Sequence, residues 1–267
     1  MSTTPQTIQT EPARPRAAPD APSGGWLLRS ILAQTRVELL LTIRRGESVL
    51  ITVIVPVVLL IFFASLNIVP AGNRPVDFLL PGVLALAVMA TGMVSLGIAT
   101  AYERYYGVLK RLGGSPLPRS GLIIAKVLSV LALEVVQVAL LLGVAAGIYG
   151  WRPQGAPLLA LLALVLGTAT FAGLGLAMAG ALRAEATLAG ANGLYLLFLL
   201  LGGGILPLDH LPGPLEAIAR ALPAAALTDA LRASMTSGAA FPGSDLILLA
   251  AWGAVILIVA ARSFKWE

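Results

Sequence analysis

Six stretches of this chain are apolar for about 20 residues or more, the length that carries an α-helix across a bilayer. They cover roughly 48–68, 79–101, 121–148, 156–182, 187–206 and 244–263. Backbone amides have no water to bond in hydrocarbon, so such runs must satisfy themselves internally as helices. Composition agrees: only 12% of residues are charged, half the share of about 25% that covers a soluble domain. The expected fold class is an all-α membrane protein with six transmembrane helices. The third and fourth runs are long enough to tilt or to project from the hydrocarbon.

Several functions are excluded at once. There is no cysteine, so neither a disulfide framework nor a thiolate metal site is available. His210 is the single histidine, which removes any His-based metal cluster. No G-x-x-x-x-G-K-[ST] loop is present to wrap phosphates. The chain is therefore expected not to be an enzyme and to bind neither metal nor nucleotide itself. The net charge of +5 does not point to nucleic acid, because in a membrane chain the position of the cations matters more than their sum.

Outside the spans the pattern changes. Residues 1–25 are rich in Pro, Ala, Thr and Ser and are expected to be a disordered tail. They lack the apolar core of a signal peptide. Residues 26–45 repeat Leu28, Ile31, Leu32, Thr35 and Leu39 at helical spacing, with Arg29, Arg36 and Arg44 elsewhere. An amphipathic helix lying in the headgroup plane is predicted. The RAEA linker, Arg183 to Ala186, makes the fourth and fifth runs a tight hairpin. Residues 207–243 carry five prolines and two pieces, LEAIARAL and LTDALRASM, read as short outer helices lying at the interface or dipping into it.

Orientation follows from the cations. With six spans, one side holds Arg14, Arg16, Arg29, Arg36, Arg44, Arg45, Arg104, Lys110, Arg111, Arg119, Lys126, Arg183, Arg262 and Lys265. The other side holds Arg74, Arg152, Arg220 and Arg232. Cations collect on the cytoplasmic side, so both termini are expected there. The preference for Arg over Lys, with abundant Ala, Leu and Gly, fits a GC-rich bacterial genome, and the expected location is the bacterial cytoplasmic membrane, in contact with its lipids.

Inside the spans three polar residues stand out. Glu134 lies midway along the third run, where a carboxylate must face protein or water. Gln137 follows one turn later on the same face. Asn192 in the fifth run is a polar counterpart. The set reads either as a cargo cavity or as hydrogen bonds between helices. Small residues crowd 89–101 and 166–181, where helix backbones approach closely. Pro56 is expected to kink the first span. Pro81 and Gly82 are placed in the outer first turn of the second, and Gly202 to Gly204 at the end of the fifth.

The loop YERYYGVLKRLGGSPLPRSGLIIAK resembles the first cytoplasmic loop of type-2 ABC transporter permeases. Its matching residues are Glu103, Arg104, Gly107, Leu109, Lys110, Arg111, Leu112, Ser115, Pro116 and Leu117. A second stretch, GGGILPLDHLPGPLEAIARALPAAALTDALRASM, is similar to the family's signature before the last span, through Pro207, Leu211, Pro212, Pro223, Ala230, Leu231 and Arg232. Ala224 to Ala226 depart from it, where many relatives carry a more polar or aromatic run. The resemblance spans roughly 26–265. It implies a permease subunit that pairs with a second copy or a paralogue and with cytoplasmic ABC ATPase subunits, which hold the ATP and Mg. It also implies that 102–114 forms a coupling helix docking on the ATPase. Glu103, Arg104, Lys110 and Arg111 would make polar contacts, and Tyr105, Tyr106, Leu109 and Leu112 would anchor it. The implied cargo is a small amphiphilic drug, antibiotic or lipid moved outward. Polysaccharide export is the alternative, and an ion-gradient-driven secondary transporter a more distant one.

Overall fold

The computed structural model describes residues 24–44, 46–66, 74–114 and 117–263. Most of the tail, Ser115 and Pro116 of the loop motif, and the cations Arg14, Arg16, Arg45 and Lys265 lie outside the described residues. Eleven α-helices make up the described chain, and no strand occurs among these residues. They are α1 (Gly24–Arg44), α2 (Gly46–Leu66), α3 (Pro75–Met89), α4 (Leu96–Tyr105), α5 (Val108–Gly113), α6 (Arg119–Tyr149), α7 (Pro157–Ala181), α8 (Ala184–Leu201), α9 (Gly213–Arg220), α10 (Pro223–Met235) and α11 (Gly243–Ser263).

Five helices are long and apolar enough to cross a membrane: Pro75–Tyr105, Arg119–Tyr149, Pro157–Ala181, Ala184–Leu201 and Gly243–Ser263. The remaining expected span falls on α2. Its described apolar stretch, Thr52–Leu66, is shorter than the roughly 20 residues a crossing takes. The second span is a single rod in which a π-helical segment, Ala90–Ser95, joins α3 to α4. It begins at Pro75, so Pro81 lies inside the helix rather than in its first turn. The fifth span stops at Leu201, short of the expected residue 206, because Gly203 takes a left-handed φ of 66°.

Helix α7 is the hub, in contact with α3, α4, α6, α8, α10, α11 and the π segment. Glycine allows it. A methyl group on Gly97 would lie 3.0 Å from Gly175 Cα, and one on Gly175 would lie 2.7 Å from the Met93 carbonyl oxygen. The two rods therefore meet backbone to backbone, and dispersion replaces the hydrophobic drive that lipid cannot supply. Residues further along α11 meet residues further along α7 (Leu249 with Thr170, Ile256 with Gly173), so the two helices run parallel.

One end of the bundle carries α1, α5, the α7–α8 turn and the end of α11. The other carries α9 and α10. There Ala156 N–H donates to the Ser234 carbonyl (2.7 Å) and Trp252 Nε1 to the Ala221 carbonyl (3.0 Å). Helix α10 packs into the bundle. Ala224, Ala225, Ala226, Leu227, Ala230 and Leu231 are buried, because small residues let it wedge against α3, α7 and α11. Arg232 locks this end: Nη2 donates to Gly203 O (2.8 Å), Nη1 to Asp229 (3.0 Å), and the guanidinium sits 4.1 Å from the Phe78 ring centroid. Burial raises the Asp229 carboxyl above its ordinary value, against the opposing pull of Arg232 and Arg220.

Candidate coupling segment and cavity

Helix α4 ends because Gly107 adopts φ 71°, a left-handed conformation that reverses the chain after Tyr106. The six-residue α5 then turns back onto the bundle. Leu109 is buried against Leu122, Ile123 and Leu96, with Leu112 and Leu117 half-buried beside them. Helical spacing puts Lys110 and Arg111 on the opposite, exposed face. Tyr105 and Tyr106 are 66% and 69% exposed and pack edge to face at 5.1 Å.

The eight residues assigned to docking thus divide. Tyr105, Tyr106, Lys110 and Arg111 face outward. Leu109 faces inward and Leu112 is half-buried. Glu103 and Arg104 differ from the expectation of polar contacts to a partner. Arg104 Nη1 donates to Gly180 O (2.6 Å) and Nη2 to Leu182 O, so its fork caps the last carbonyls of α7. Glu103 is 9% exposed, and its Oε2 accepts from Lys126 Nζ at 2.7 Å.

Lys126 is the centre of that site. Its side chain is fully buried in α6 and also donates to Glu38 Oε2 of α1 at 2.9 Å. Gln34 donates to the other Glu38 oxygen (2.9 Å). One ammonium therefore ties the amphipathic helix, the coupling segment's root and the third span together. Desolvating three charges is costly and is offset only by close, hydrogen-bonded geometry. In the sequence Lys126 counts only as one of the orienting cations, and Glu38 as one polar residue of α1. The available signal was heptad spacing: Ile31 and Glu38, both buried, stand two turns apart on one face of α1.

Beside this cluster is a cavity of about 650 Å³. Glu38, Glu103 and Lys126 line one part of it, and Val55, Val94, Leu96, Val130 and Leu133 are among the apolar residues of its walls. The walls come from α1, α2, the π segment, α4, α6 and α8, with Tyr106 and Val108, where α5 starts, also lining the space. Asn192 lines it, with its amide bonded to the Leu188 carbonyl of its own helix (2.8 Å). Glu134 and Gln137 are not among its lining residues. Glu134, the sixteenth of the 31 residues of α6, accepts from the Thr168 hydroxyl of α7. Gln137 bonds the Thr91 hydroxyl and the Thr52 carbonyl. The three polar residues are therefore not brought together. The acid and the amide knit helices just behind the cavity wall, and the asparagine alone faces the space. No group of three or more potential metal ligands occurs among the described residues.

The ABC-2 type transporter family matches residues 29–236 of the chain. No curated protein matches it.

Proposed function

Starting from a chain that belongs to the ABC-2 type transporter family and is the membrane subunit of an ABC transporter, we propose that it exports a small amphiphile across the bacterial cytoplasmic membrane. The energy comes from ATPase subunits that dock on α5. The exposed face made by Tyr105, Tyr106, Lys110 and Arg111 is the docking surface, and the α5 end is cytoplasmic. The observation that carries the reading is the 650 Å³ cavity with a charged part and apolar walls, a volume suited to a drug-sized molecule. It abuts Glu103, four residues before the φ reversal that starts the coupling segment. Charge placement supports the orientation: Arg29, Arg36, Arg104, Lys110, Arg111, Arg119, Arg183 and Arg262 gather at the α5 end. A second permease, identical or related, pairs with this one along α8, where Leu196, Leu197 and Leu200 are exposed.

Two experiments test this. Arg111→Glu is expected to weaken co-purification of the ATPase about tenfold while membrane insertion is unchanged, and undiminished co-purification removes the docking face. The chain has no cysteine, so a single Asn192→Cys reports cavity occupancy. Compounds that stimulate ATP turnover in the assembled transporter should slow maleimide labelling there. Stimulation with unaltered labelling would place the cargo path elsewhere.

A further inference from the structure

Two irregular helical points line the cavity within reach of one side chain. In α2, Pro56 has no amide hydrogen, so the carbonyl of Thr52, four residues earlier, loses its helical partner. In the second span the π segment widens the turn: Leu96 N–H reaches the carbonyl of Thr91, five residues back. Thr52 and Pro56 line the cavity on one side, and Ala90, Thr91 and Ser95 line it on another.

One side chain joins these two points. Gln137, on α6 and 1% exposed, donates from Nε2 to Thr52 O at 2.7 Å. It thereby fills the rung that Pro56 leaves open. Its Oε1 lies 3.1 Å from the Thr91 hydroxyl, in the first turn of the π segment, and shares that hydroxyl's one hydrogen with the Ala87 carbonyl at 2.9 Å. The amide is chemically directional here, because only its NH₂ can serve a carbonyl. Behind the segment, Gly92 and Gly175 press the same turn against α7: a methyl group on Gly92 would lie 3.0 Å from Ala172 N. The π segment is thus wedged on one side by backbone and held on the other by Gln137.

We propose that Gln137 is a positioning residue for the transport cycle, registering the proline break of α2 to the π segment so that the two cavity walls move as one. It touches no cargo. The inference rests on reading the cavity as the cargo path, but its test needs no cargo, so the two fail separately.

The test uses the full chain assembled with its ATPase in nanodiscs. Gln137→Leu is expected to lower the melting midpoint by about 5 °C. Combined with Pro56→Ala, the same substitution is expected to cost about 1 °C or less, since position 56 then supplies an amide hydrogen to Thr52 O. Nitroxides at Val58→Cys on α2 and Asp77→Cys on α3, both exposed, report the spacing of the two rods that carry these walls. With Gln137 present, one distance should hold in the nucleotide-free and vanadate-trapped states. With Gln137→Leu, that distance should shift by about 2 Å between states or broaden, a change that uniform destabilisation does not produce. An undiminished loss in the Pro56→Ala background, or a distance that ignores Gln137→Leu, overturns the proposal. So does a distance that already differs between the two states with Gln137 in place.

Discussion

Lys126→Met is expected to cost about 3–5 kcal/mol, the loss typical when one member of a buried ion cluster is removed and its partners stay behind. The reason is geometric. Glu38 and Glu103 approach the same ammonium at 2.9 and 2.7 Å from different helices, and the lysine is fully buried. Without it, two carboxylates face a low-dielectric pocket and repel. The first visible effect should be release of α1, read as faster proteolysis between Gly24 and Arg44 and a lower melting midpoint. Neutralising all three groups (Glu38→Gln, Glu103→Gln, Lys126→Met) should recover part of the loss, because the desolvation cost disappears with the charges. A Lys126→Met chain that melts and resists protease like the parent would show that the cluster holds nothing together.

Gly175→Leu is the second substitution with a large expected effect. A Cβ there meets the Met93 carbonyl at 2.7 Å and the Gly92 carbonyl at 2.9 Å. Both are backbone atoms, so no side-chain rotation can make room. The second and fourth spans must separate, and every contact along that seam weakens. Overpacking of this kind costs about 3 kcal/mol or more. Gly143→Leu is the matched control, since a Cβ at Gly143 meets nothing within 4 Å. Melting of the two variants in the same detergent decides the matter. Equal midpoints would mean that the seam is not close-packed.

The long apolar runs were readable because hydrocarbon permits one backbone solution, and their periodicity needs no partner to interpret. The helical α1 was readable from the spacing of its apolar residues, and the turn at Arg183 from the short charged break between two apolar runs. What the chain hid were properties of pairs. Glu103 and Lys110 look alike as charged residues of one loop, yet Lys126, 23 positions on, draws the first inward. Arg104 looks like a docking cation until α7 brings its terminal carbonyls alongside. The π segment has no compositional mark: ATGMVS differs little from its neighbours, and the extra residue in the turn shows only against the glycines of α7. Gln137 was singled out as polar, but its purpose depends on a proline 81 positions earlier in another helix.

The fork of Arg104 on Gly180 and Leu182 has a consequence for how this protein tolerates change. That guanidinium gives the inserting chain a cation at this corner and the finished bundle a two-pronged rivet between α4 and the end of α7. A lysine would preserve the first duty and forfeit the second, since a point charge cannot hold two carbonyls at a fixed angle. Homologues that keep the charge but lose the fork should reveal a replacement brace at the same corner, or a looser joint at the α7–α8 turn.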